Sequence, residues 1–175
     1  MARSQRYALK KREHSFLEPE LVKAKNNLTE AYRVLANMAK SRQEITPAAE
    51  WLIDNFYIIQ EQIVQVSNDF PREYQRNIPV LTEGELKGLP RVYELVLNLV
   101  THTDNLVNME TLTQYVKSFQ GEETLMLGEV WAIPIMARFV LIQQLAEKSQ
   151  RVLRQKKIQL EVNELIKDIS KKDLR

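Results

Sequence analysis

The side chains able to do chemistry in this sequence sit inside apolar runs rather than in catalytic arrays. Glu129 and Arg138 flank the middle of LGEVWAIPIMARFVLI (127–142), with Trp131 and Pro134 between them. Asp54 and Asn55 interrupt WLIDNFYII (51–59), Arg91 and Tyr93 open RVYELVLNLV (91–100), and His102 and Asp104 stand in THTD (101–104). A buried charge must be paired, because an isolated ion is very costly away from water. One of two pairings would clamp helices together here, Asp54–Arg138 or Glu129–Arg91. Arg138 has a second option, in which its stem lies on apolar surface and its head reaches solvent. The rings of Trp51, Trp131, Tyr57, Tyr93 and Tyr115 have faces that stack on a sugar or a base. At helical spacing such rings more often pack a core.

Reaction chemistry is sparse. His14 and His102 lie far apart with no metal-ligand spacing around them, and there is no cysteine. His102 reads as a helix-end histidine favoured by the carbonyl dipole. No Gly-rich phosphate loop, GxSxG elbow or DxD carboxylate pair occurs. No catalytic, cofactor-binding or metal-ligating residue is therefore assigned.

The elements that must position these residues follow from composition and period. At 175 residues, with 44% hydrophobic and 27% charged, the chain suits one domain with a sizeable core. Four glycines argue against a fold rich in tight turns, and the net charge of +2 is too small to imply a nucleic-acid partner. No strand-like alternation persists, so the class is all-α, a bundle of about five to six helices with a buried central helix near 127–146. Residues 1–18 form a basic, flexible terminus carrying Arg3, Arg6, Lys10, Lys11 and Arg12, with contact to anionic lipid or RNA as the sharper alternative. Residues 19–147 form the bundle, and 148–175 a charged helical extension.

Along the chain, Leu21, Ala24, Leu28, Ala31, Leu35 and Met38 recur at spacings of three and four. Thr46 and Pro47 start a second helix whose seam runs from Ala49 to Phe70. Residues 71–90 are the longest irregular stretch, with a turn of helix around Tyr74, and loops of that length are often functional. A third helix runs from Pro90 to Thr103, and a fourth from an Asn108 cap until Gly121 stops it. The fifth starts near Leu127. On its charged continuation Val152, Ile158, Val162, Leu165 and Ile169 leave a narrow stripe, suited to one partner helix.

The apolar run around Pro134 is too short for a membrane span. A span needs about 20 mainly apolar residues, whereas Arg138 interrupts Val130–Ile142 and two glutamines follow. A helix apolar on nearly all sides is instead surrounded by other helices. Val130, Pro134, Ala137 and Leu141 would face one neighbour, and Pro134 would kink the helix to fit or free a carbonyl for a polar group.

Four segments carry a family resemblance: ITPAAEWLIDNFYIIQEQI (45–63), FPREYQRNIPVL (70–81), GLPRVYELVLNLVTHTDN (88–105) and TLMLGEVWAIPIMARFVLIQQL (124–145). In this order they resemble the amino-terminal helical region of the cyclic β-1,2-glucan synthases, over roughly residues 28–147. The resemblance implies a very large, membrane-embedded bacterial parent that polymerises glucose from UDP-glucose into β-1,2 chains and closes them into rings. Its catalytic regions would lie carboxy-terminal to this part. The chain is then expected to be a non-catalytic helical module without a cofactor, soluble in itself, on the cytoplasmic side of the inner membrane. It would serve docking, scaffolding or glucan guidance, and its expected partners are the downstream glycosyltransferase region and β-1,2-glucan. The matching polar and aromatic positions are Trp51, Asp54, Asn55, Arg91, Tyr93, His102, Asp104, Glu129, Trp131 and Arg138, as clamp or glucan-contact candidates. The alternative is a stand-alone interaction bundle that forms a homodimer through 148–170.

Overall fold

The computed structural model describes residues 6–9 and 15–172. His14, Arg3, Lys10, Lys11 and Arg12 lie outside the described residues. The described elements are β1 (Tyr7–Ala8), α1 (Leu17–Lys40), α2 (Pro47–Asp54), α3 (Phe56–Asp69), α4 (Arg72–Arg76), β2 (Val80–Leu81), α5 (Arg91–His102), α6 (Met109–Glu122) and α7 (Leu127–Lys172). The protein is all-α, with one short strand pair.

Helix α1 buries Leu17, Leu21, Ala24, Leu28, Ala31 and Leu35, one seam at three-four spacing. Its first turn is tied by Ser15, whose Oγ accepts from the Glu18 N–H at 3.1 Å and donates to Gln75 Oε1 at 2.8 Å. The seam packs along α7. Phe16 meets Phe139 edge-on at 6.0 Å, and Gln150 donates to the Asn27 carbonyl and to Glu30, so the two helices run parallel. Helix α3 runs the opposite way. Glu18 pairs with Arg72 just beyond it, while Tyr32 stacks on Phe56 at 4.3 Å.

The second helix is broken where the sequence pattern is continuous. Asn55 closes α2 and opens α3, and its Nδ2 donates to the Trp51 carbonyl at 2.8 Å. That carbonyl also accepts from the Asn55 backbone N–H. An asparagine that hydrogen-bonds back four residues competes with the helical ladder, which accounts for the jog. Thr46 does cap α2, accepting from Ala49 N–H, and Asn108 caps α6 in a reciprocal box with Thr111. Gly121 does not stop α6, which continues through Glu122. A glycine in a last helical turn costs only about 1 kcal/mol.

The irregular stretch 71–90 is tied down at several points. It contains α4 and β2, turns tightly with Gly84 and Gly88 at positive φ, and pairs β2 antiparallel with β1, Tyr7 opposite Leu81 and Ala8 opposite Val80. Thr82 bonds the Arg6 carbonyl through both its N–H and its hydroxyl, and Arg6 pairs with Glu83. Arg6, in the described part of the basic start, is thus hydrogen-bonded to the β2 region.

Helix α7 is the axle. Ala132, Ile133, Ile135, Met136, Ala137, Phe139, Val140, Ile142 and Ala146 are all buried. By length and composition, Leu127–Asn163 could cross a membrane, yet 56% of its apolar window is buried against the other helices. One correction concerns its outer side. Pro134 faces no neighbour: it is exposed, in line with exposed Leu127 and Trp131, on a helix that continues through it. The missing proline N–H removes the intrahelical partner of the Val130 carbonyl. The charged extension read from residue 148 is the same helix without interruption, through Lys172.

Candidate functional site: a buried arginine clamp and an exposed tryptophan face

Arg91 opens α5 directly after Pro90, and Glu129 is the third residue of α7. Both side chains are 0% exposed. The pair is a two-point fork: Arg91 Nε donates to Glu129 Oε1 at 2.9 Å and Nη2 to Oε2 at 2.6 Å. Two of the three remaining guanidinium N–H donors are also used. Nη1 reaches Glu123 Oε2 at 3.2 Å and Nη2 the Thr124 carbonyl at 3.1 Å. Above the plane lies the Tyr7 ring, with the guanidinium carbon 3.7 Å from its centroid. Glu129 Oε2 also accepts from the Met126 N–H at 2.9 Å, which satisfies an orphan donor at the helix start.

Electrostatics favour this arrangement over its members alone. Burial by itself would lower the Arg91 pKa, but the hydrogen bonds and charge of Glu129 outweigh it, and the pKa is raised. Forked arginine–carboxylate bonds are among the stronger hydrogen bonds, and this geometry uses both carboxylate oxygens. Four segments meet at one guanidinium: β1 through Tyr7, the start of α5, the α6–α7 connection and the start of α7. The Glu129–Arg91 pairing expected from the sequence is present.

The alternative, Asp54–Arg138, does not form. Arg138 Nη1 lies 3.3 Å from Asp69 Oδ2 and 3.5 Å from Gln65 Oε1, both on α3, at a half-exposed position. Asp54 is exposed at the end of α2. The reason is alignment. Helices α3 and α7 run antiparallel, and the Tyr74 hydroxyl of α4 donates to the Gly128 carbonyl, so Arg138 falls beside the end of α3. Asp54 precedes Asp69 by about 22 Å of helix at 1.5 Å per residue.

The remaining candidates are dispersed. Trp51 is 55% exposed on α2, next to Asn55 at the break. Tyr93 is half-buried against Phe16 and Phe139 and donates to Gln143 Oε1 at 3.2 Å. Burial, then the negative charge of Glu20 and Glu147, raise its pKa against the opposing hydrogen bond of Gln143. His102 ends α5, its Nδ1 2.7 Å from the Asn98 carbonyl, and Asp104 adopts a positive φ in the turn that follows. Trp131 is 66% exposed and lies seven residues from Arg138, on the same face of α7. Residues that the sequence reading missed are Tyr7, Glu123, Thr124 and Met126 at the clamp, and Gln65 and Asp69 beside Arg138. Tyr7, Gln65 and Asp69 come from distant parts of the chain and carry no local signal of their partners, whereas Glu123, Thr124 and Met126 lie just before Glu129, and the Met126–Glu129 contact is a local helix-start bond.

No family model matches the chain. Over 134 residues, 77% of this chain, it is 40% identical to the cyclic β-(1,2)-glucan synthase NdvB of Rhizobium meliloti (strain 1021). The chain spans 5% of that relative's length. Over the aligned residues the chain belongs to the cyclic β-(1,2)-glucan synthase family.

Proposed function

We propose that the chain is a non-catalytic helical module of a cyclic β-1,2-glucan synthase-like glycosyltransferase, one that polymerises glucose from UDP-glucose. In this reading it docks on, or scaffolds, the glycosyltransferase region of the same polypeptide at the cytoplasmic face of a membrane. The supporting observation is the clamp. The two charged groups most shielded from water, Arg91 and Glu129, use their hydrogen-bonding capacity on each other, on Glu123 and on backbone atoms. A pair so engaged and fully buried fixes helix positions and presents no surface to a substrate. The outer side of α7, by contrast, offers Leu127 and Trp131 to a partner. The test is incubation of the purified chain with labelled UDP-glucose. No incorporation into glucan is expected, and turnover by the chain alone overturns the reading.

A second reading has its own observation. Beyond Leu153, α7 carries exposed Ile158, Val162, Leu165 and Ile169 at spacings of four, three and four. That is the seam of a two-helix contact between copies of the chain. Sedimentation equilibrium decides it: a dimer that becomes a monomer on Val162→Glu plus Leu165→Glu supports this reading, and a monomer throughout removes it.

A further inference from the structure

Residues 6–9 lie on a seat that the rest of the fold builds without them. Segment 79–91 is fixed by its own bonds. The Leu81 N–H donates to the Leu89 carbonyl at 2.9 Å, the Gly88 N–H to the Leu81 carbonyl at 2.8 Å and the Arg91 N–H to the Pro79 carbonyl at 3.0 Å. The Arg91 guanidinium is fixed from the other side by Glu129, Glu123 and the Thr124 carbonyl. Three recognition points result. Thr82 offers its N–H and its hydroxyl to one backbone carbonyl, that of Arg6, at 2.9 and 3.0 Å. Glu83 takes a cation, Arg6, at 2.9 Å. The open face of the guanidinium takes an aromatic ring, Tyr7, at 3.7 Å. The arm on this seat is weakly held. All four of its residues are exposed, and none joins the hydrophobic core. The Arg6 and Glu83 side chains keep 74% and 61% of their surface in water, where an ion pair contributes little. A lone two-stranded pair is marginal in water. The arm can therefore leave while the seat stays formed.

We propose that this seat is a strand-binding site, filled in the resting chain by its own residues 6–8 and open to an extended segment of another protein when they lift off. The mode is strand addition, in which main-chain bonds to β2 and Thr82 give affinity and the side-chain seats give selection. The segment that fits is extended and carries a cation followed directly by an aromatic residue, as Arg6 and Tyr7 do. An acidic or phosphorylated segment does not fit. The edge of the guanidinium already holds Glu129 and Glu123, so what remains open is its face, which attracts the negative face of a ring. Glu83 repels a further negative charge. The incoming segment meets groups that are already in position, and the resident arm is an autoinhibitory contact. The inference goes beyond the module reading and does not depend on it.

The test uses the full chain in two steps. Amide hydrogen exchange of the natural chain comes first. The Thr82 N–H, whose acceptor lies on the arm, should exchange about tenfold or more faster than the N–H groups of Leu81 and Arg91, whose acceptors lie within the seat. Thr82 exchange as slow as that of Arg91 would mean that the arm leaves only when the fold does, and overturns the proposal. In the second step Tyr7→Ala empties the ring position, and a synthetic peptide of residues 4–9, SQRYAL, is titrated into the labelled chain. Saturable NMR shifts of the Thr82 amide and the Arg91 Nε–H are expected. The natural chain, whose tethered arm competes, should bind the peptide about tenfold more weakly than Tyr7→Ala does. The same peptide with alanine in place of its tyrosine should also lose about tenfold in affinity. Absent or non-saturating shifts at Thr82 and Arg91, equal binding by the two chains, or equal binding of the two peptides overturns the proposal.

Discussion

Replacing Glu129 by Gln keeps the shape of the side chain and removes the charge that neutralises Arg91. The guanidinium is 0% exposed, so it cannot rehydrate without local opening. Breaking a buried pair from one side costs about 3–5 kcal/mol. Glu123, 3.2 Å from Nη1, retains part of the compensation and places Glu129→Gln at the lower end, about 3 kcal/mol. For a chain of 175 residues the unfolding entropy near the midpoint is about 0.37 kcal/mol/K, so this loss is a fall of roughly 8 °C in Tm. Arg91→Met combined with Glu129→Leu removes both charges and refills the volume. The remaining loss should be only about 1–2 kcal/mol, from the Met126 N–H and Thr124 carbonyl left without partners. Thermal and urea melts of Arg91→Met, Glu129→Leu and the double variant, followed by circular dichroism, give the coupling directly, with Glu129→Gln melted beside them. A single-variant loss below about 1 kcal/mol, or a double-variant loss equal to the sum of the singles, would refute the clamp.

Three further outcomes follow from other contacts. Arg138→Met should leave stability within about 1 kcal/mol of the natural chain in thermal melts, because the Arg138–Asp69 pair is solvent-exposed; a loss near 3 kcal/mol would make it a second clamp. Asn108→Ala should cost about 1 kcal/mol, read as a drop of roughly 2–4 °C in Tm, through loss of the α6 capping box. Alkaline stability should decline as pH rises above about 10, because burial raises the Tyr93, Tyr115 and Tyr74 pKa values in the folded chain. Each raised value means that the folded state resists ionisation. The stability is whole below the unfolded value and is lost as pH climbs through the folded one. Melts against pH, with tyrosinate absorbance as the second probe, should show a shallower decline for Tyr93→Phe.

The elements were legible where local rules suffice. The α1 seam, the Thr46–Pro47 and Asn108 caps and the start of α7 all rest on spacing or cap chemistry within a few residues. Arg91 and Glu129 were legible as a pair because each opens a long apolar run and so has to find an opposite charge. The partner of Arg138 was not. A three-four pattern says which face of a helix is inward but not how far one helix is slid along another, and a slide of four turns separates Asp54 from Asp69. Tyr7 escaped notice because a two-residue strand has no period to read, and its ring reaches Arg91 only across the fold. Pro134 was misplaced because apolarity was taken as burial; Leu127 and Trp131 share its exposure beside a stretch, Ala132 to Ala146, that is otherwise mostly buried.

The account stands on α7 being the interior helix of a bundle that assembles in water. Hydrogen exchange of the purified chain, in buffer without detergent or lipid, measures this residue by residue. The slowest amides should lie between Ala132 and Ala146, alongside those of Leu21–Leu35 that pack on them. Rapid exchange of Ala132–Ala146 in buffer, with protection gained only on adding a bilayer, would contradict it.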